Sequence, residues 1–144
     1  MTAVATCSIA RSLEVLGEKW TLLVVREAFW GSTRFSEFQS SLGVSTDILT
    51  ARLATLVDAG VLERRSYREE GARERSSYHL TESGRELRVV LGALASWTND
   101  HHPAGFGAGT VYRDRETHEP VRVGFISATG VPLDAESVEV TRPQ

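Results

Sequence analysis

Cysteine occurs once in the 144 residues, at Cys7. A single thiol excludes an internal disulfide framework and any metal site made only of cysteines. Long hydrophobic runs are missing too. The apolar stretches fall far short of the roughly 20 residues a membrane helix needs, so no membrane partner is expected. The first nine residues lack the basic start and apolar core of a signal peptide, and the expected location is cytoplasmic. Strong charge of either sign is absent. The formal net charge of −3 argues against indiscriminate attraction to phosphates. Catalytic signatures are absent as well: no Gly-x-Ser-x-Gly elbow, no phosphate loop, no His-Glu-x-x-His. No enzyme activity and no cofactor are expected.

What is present is an ordinary globular composition, 41% hydrophobic and 24% charged. It suits one domain with a small appendage. Charge is unevenly spread. Residues 1–80 hold ten basic and ten acidic side chains, whereas residues 81–144 hold six and nine. The second stretch therefore carries the whole deficit.

Periodicity predicts a run of helices. Ser8 can cap the first, with Ile9, Leu13 and Leu16 on one side and Gly17 at its end. Lys19–Trp30 reads as a second, with Trp20, Leu23, Val24 and Phe29 as its apolar side and Gly31 as its stop. Thr33 can cap a short helix through Leu42, carrying Phe35, Phe38 and Leu42. Glu37 in its first turn suits the helix dipole. After Gly43, Ser45 can cap a longer helix to Ala59, with Ile48, Leu49, Leu53, Leu56 and Val57 inward and Gly60 beyond its end. Val61–Tyr67 and Ser76–Leu80 are strand-like runs around the charged stretch Arg68–Arg75, which reads as a long hairpin tip. Thr81 can cap a last helix to about Asp100, with Leu87, Val90, Leu91, Leu94 and Trp97 on one face. The aromatics Trp20, Trp30, Trp97, Phe29 and Phe38 are expected in the core. Beyond it lies a glycine-containing linker, then strand-like runs at Val111–Tyr112, Val121–Ile126 and Ser137–Val140.

The expected fold class is mainly α with small β: a winged helix-turn-helix domain over 1–102 and a short β-rich C-terminal extension over 103–144. In such a domain a short helix braces a second, which can enter the major groove of DNA. The hairpin is a wing whose tip can reach phosphates or the minor groove. With the apolar positions facing the core, Ser45, Thr46, Asp47, Thr50, Ala51 and Arg52 remain near the exposed half of the long helix. Ser45 and Thr46 can donate to phosphate at the helix N-terminus. Thr50 and Arg52 can address bases or backbone. Asp47 either caps the helix or accepts from a cytosine amino group. Wing residues Arg73 and Arg75 and, from the bracing helix, Arg34 complete the DNA-binding set. Residues 44–80 balance six arginines against six acids, so the contacts are expected to rest on few arginines. The alternative is a winged-helix module for protein docking or small-ligand binding without strong DNA binding.

Several motifs, in order and at matching spacing, resemble one family. They are Cys7 through Glu27, Arg34-Phe35-Ser-Glu-Phe38, Gly43-Val-Ser45 through Leu53, Leu56 through Leu62, and Tyr78-His-Leu-Thr-Glu-Ser-Gly84. Over roughly residues 7–100 the chain resembles the HxlR-type winged-helix transcriptional regulators, relatives of the MarR class. The resemblance implies a homodimer built from the first and last helices. It implies double-stranded DNA as partner, with two recognition helices on a pseudo-palindrome about one helical turn apart, roughly 34–36 Å. It also implies release or remodelling by a small-molecule effector or a thiol-reactive signal.

Cys7 stands where members of that family carry an N-terminal cysteine. A thiolate at a helix N-terminus is stabilised by the dipole and becomes more reactive. Its outcomes would be a disulfide to the partner subunit, a mixed disulfide or alkylation. The other reading is a small buried hydrophobe. The tail resembles a ribbon of some family members that is built on cysteines. Here Glu116, Ile126 and Thr129 replace three thiols. Isoleucine cannot ligate zinc, so the ribbon is expected to fold without metal. His101, His102 and His118 read as solvated. The ribbon's expected role is as interface or packing extension, with part of an effector pocket as the other possibility.

Overall fold

The computed structural model describes residues 7–107 and 109–141. Helix α1 spans Ser8–Leu16, α2 Lys19–Phe29, α3 Phe35–Leu42 and α4 Thr46–Asp58. Strands β1 (Leu62–Tyr67) and β2 (Arg75–Leu80) follow, then α5 (Glu82–His101). This is mainly α with a small antiparallel sheet, the expected class. Two compact units divide at Arg88 and Val89, inside α5 and ahead of the linker.

In the first unit, β1 and β2 pair antiparallel from Leu62↔Leu80 to Tyr67↔Arg75. Gly71 at φ 73° turns the chain at the tip. Ser45 is the N-cap of α4, its hydroxyl accepting from the Ile48 N–H at 3.3 Å. Such caps satisfy a helix donor that otherwise has no partner. Thr81 accepts from the Gly84 N–H at 3.1 Å and donates to the Val61 carbonyl at 3.1 Å, joining α5 to the base of the wing.

Two caps differ from expectation. The N-cap of α1 is Cys7, with Ser8 already helical, and the Cys7 carbonyl accepts from the Arg11 N–H at 3.0 Å. The N-cap of α3 is Arg34 rather than Thr33. The cause is tertiary. The Thr33 carbonyl accepts from the Tyr78 N–H at 2.7 Å, and Arg34 bridges Ser77. Pairing with β2 thus keeps both residues extended.

The core lies where α2, α3, α4 and β1 meet. Val24, Val25, Phe38, Leu49, Leu53, Leu56 and Leu62 are essentially inaccessible. Burying each such side chain contributes about 1.5–3 kcal/mol. Other core expectations fail. Ile48, expected inward, is exposed, and of the five aromatics only Phe38 is buried. Trp30 is 63% and Trp97 57% exposed. Trp30 instead stacks under the Arg26 guanidinium, 4.7 Å from its ring centroid. The interior also takes Thr21 and Glu27.

In the second unit, β3 (Phe125–Ile126) pairs antiparallel with β4 (Pro132–Leu133). The expected strands at Val111–Tyr112 and Ser137–Val140 do not form. Tyr112 contributes one carbonyl bond to Val121, and the pairing there shrinks to the bridge Arg113↔Pro120. The Asp114 carboxylate explains this, because it captures the Glu116 and Thr117 N–H groups and turns the chain. These bonds also hold its pKa below the usual aspartate range. Ser137 closes a short 3-10 turn, Ala135–Ser137, capped by Asp134. Among the described residues no helix is long and apolar enough to cross a membrane.

Candidate nucleic-acid interface

The surface that the sequence singles out starts at the N-terminal half of α4. Leu49, Leu53 and Leu56 are buried, so the helix presents Thr46, Asp47, Thr50 and Ala51 outward. Ser45 is also exposed and keeps its hydroxyl donor beside its capping role. Thr46 is not independent. Its hydroxyl accepts from Gln39 Nε2 at 3.0 Å, which couples α3 to α4 across the turn. Sequence reasoning misses Gln39, because nothing in a polar residue on a short helix shows which neighbour it will meet.

Arg52 is placed differently from these residues. It sits on the flank of α4 with its side chain 22% exposed, and its Nη1 lies 3.8 Å from Glu18 Oε2. Its Nε is buried and has no partner. With Glu18, Trp20, Asp47, Ile48 and Ala51 it lines a cleft of about 300 Å³. The exposure of Ile48 has its explanation here, as the apolar wall of that cleft.

Arg34 is tied to the wing. Its Nη1 lies 2.6 Å from Glu69 Oε1, and its guanidinium stands 4.6 Å above the Tyr67 ring centroid. The hydrogen bond to Glu69 raises the Arg34 pKa further. Glu37 reaches back to the N–H of Arg34 at 2.9 Å and of Thr33 at 2.8 Å. These backbone donors hold the Glu37 carboxyl below its usual range. Glu37 thus closes half of a capping box while its charge faces the positive end of the helix.

The wing carries arginines along both strands and at its tip. Arg73 and Arg75 are exposed, and among the described residues neither enters an ion pair. The others are engaged. Arg64 donates from Nε to Ser76 Oγ at 2.9 Å, Arg65 pairs with Glu63, and Arg68 donates to the Ala72 carbonyl at 2.9 Å. The acids flanking the wing therefore neutralise some arginines and leave the two expected ones open.

Cys7 is half-buried at the start of α1. Among the described residues no group of three histidine, cysteine or acidic side chains is placed to hold a metal.

Comparison with known proteins gives a consistent result. The family model described as HxlR-like helix-turn-helix matches residues 15–105. An uncharacterised HTH-type transcriptional regulator of Mycobacterium tuberculosis is 41% identical over 96 residues, 67% of this chain and 60% of that protein. The match thus spans less than two thirds of the relative's length. The crystal structure of PA1607, described as a candidate transcription factor, superposes with TM-score 0.81 at 38% identity. It covers 96% of each chain, so the similarity includes the tail. The oxidised form of the redox regulator HypR aligns with TM-score 0.59 at 26% identity, over 68% of this chain and all of that one.

Proposed function

The chain belongs to the HxlR-like helix-turn-helix family, and from that premise we propose that it is a dimeric transcriptional regulator of double-stranded DNA. The carrying observation is a capped helix, α4, braced by α3 and flanked by a wing with two unpaired arginines. Each dimer presents two copies of this unit to a pseudo-palindrome. Helix α4 enters the major groove, where Thr46 and Thr50 face bases or backbone, and Arg52 joins them when it leaves Glu18. The Ser45 hydroxyl and the first N–H groups of α4 take a phosphate, which suits the positive end of a helix. Arg73 and Arg75 take phosphates or the adjacent minor groove. Arg34 joins them when it exchanges Glu69 for a phosphate oxygen.

Release by a small effector or by a thiol-reactive signal completes the reading. Cys7 is the thiol for the second route. Its position as N-cap of α1 and the similarity to a protein described as a redox regulator support it.

Footprinting on the upstream DNA, with and without a thiol-reactive quinone, tests the reading. The expected result is a protected pseudo-palindrome that is lost on quinone addition in wild type and kept in Cys7→Ser. Protection lost equally in both proteins removes Cys7 from the mechanism. If a genome-wide pull-down also yields no enriched DNA, the DNA reading fails and a docking module takes its place.

A further inference from the structure

Residues 89–141 fold with almost no interior. Among the described residues of that unit, Gly92 is the only buried one. Its large apolar side chains lie open instead: Val89, Leu94 and Trp97 on α5, and Phe125, Ile126 and Leu133 on the ribbon are all 41–68% exposed. Local hydrogen bonds hold the turns, such as the Ser127 N–H to the Val131 carbonyl at 2.8 Å. They do not supply the apolar burial that offsets the entropy of ordering a chain.

We propose that this surface, ribbon included, is covered by a second copy of the same chain, which makes the tail a part of the homodimer rather than an appendage to it. The inference rests on the dimer reading above and extends it to the tail.

Two observations select a second copy as the occupant. The first is charge. Residues 89–99 and 123–133 contain no charged side chain, although charged residues border both stretches at Arg88, Asp100, Arg122 and Asp134. A side chain near a two-fold axis meets its own copy, so a charge there meets a like charge, and these two windows carry none. The second is exposure. Val89, Leu94 and Trp97 on α5 and Phe125, Ile126 and Leu133 on the ribbon keep 41–68% of their surface open in a single copy, and a stable interface draws roughly 800 Å² from each partner. Glycine supports the ribbon's seat within the unit. A methyl added at Gly92 would meet Val123 Cγ2 at 2.9 Å, so the small residue lets the tail lie close on α5.

Sedimentation equilibrium of the full chain without DNA tests this, comparing wild type with Ile126→Glu/Leu133→Glu. Both positions are open in a single copy, so the charges need not be buried unless a partner covers them. The expected result is a dimer whose dissociation constant rises at least tenfold in the double variant, with an unchanged far-ultraviolet spectrum. Hydrogen exchange of wild type at two concentrations gives a second readout that needs no variant. Ribbon amides should gain protection as the dimer fills. A monomeric wild type, an unchanged dissociation constant, or ribbon exchange that ignores concentration overturns the proposal. A ribbon-dependent dimer that binds no DNA sinks the regulator reading alone, and a DNA-binding dimer indifferent to the ribbon charges sinks this one alone.

Discussion

Arg34 Nη1 lies 2.6 Å from Glu69 Oε1, a bond between the N-cap of the bracing helix and the tip of the wing. Both side chains are largely exposed, so the pair adds little to stability. Its effect is on availability. An arginine held by a carboxylate must leave it before it can neutralise a phosphate.

Glu69→Gln therefore removes a competitor. DNA affinity should rise a few-fold, and the slope of log affinity against log salt should steepen by about one phosphate contact. Thermal stability should move by less than about 0.5 kcal/mol. Fluorescence anisotropy at four salt concentrations measures the first two. Unchanged affinity and slope would show that Arg34 does not reach DNA.

Arg73→Ala and Arg75→Ala should each weaken binding almost equally on all sequences and reduce the salt slope by about one. Arg52→Ala should differ. On the proposed reading, loss of the Arg52 side chain should cost about 1–3 kcal/mol and relax preference at one position of the operator. Binding to a set of single-base operator variants separates the two behaviours.

Ser45→Ala removes the side-chain acceptor for the Ile48 N–H. The cost in folding stability should be about 0.5–2 kcal/mol, measured by urea denaturation without DNA. Leu53→Ala, at the centre of the core, should cost about 2–5 kcal/mol on the same scale.

Gly84→Ala should also destabilise. Its added methyl would overlap the Val61 carbonyl oxygen, which is backbone and cannot swing aside. A melting temperature equal to wild type would mean that α5 can shift off the wing base without penalty.

The pH dependence of stability follows from Glu37. Its folded pKa is depressed by two backbone N–H donors. A depressed carboxylate stabilises the fold fully above its ordinary pKa, and the stabilisation is lost as pH falls through the lower folded value. Glu37→Gln should flatten the loss of stability between about pH 5 and pH 3, measured by thermal melts across that range. Parallel wild-type and variant curves would remove Glu37 as a source of that dependence.

Local chemistry written in the sequence set the spans of the elements. Apolar spacing placed Leu49, Leu53 and Leu56 on one face of α4, and Ser45 and Gly60 bounded that helix, because side-chain period and capping act within a few residues. The wing was legible for the same reason. The lost tail strands follow a local turn at Asp114, whereas the misplaced residues around α3 and α4 answer to distant partners. Ile48 obeys the helical period yet lines a cleft opposite Trp20, and Arg34 took the cap from Thr33 because β2, far along the chain, holds both extended. The pairing of Arg34 with Glu69, of Gln39 with Thr46 and of Arg52 with Glu18 likewise joins residues that no periodicity relates. The sequence alone determined which segments are helix and wing, and which side chains were free to carry charge. Only the tertiary structure decided which arginines remain unpaired and which apolar residues remain uncovered, since both depend on neighbours brought together after the local elements have formed.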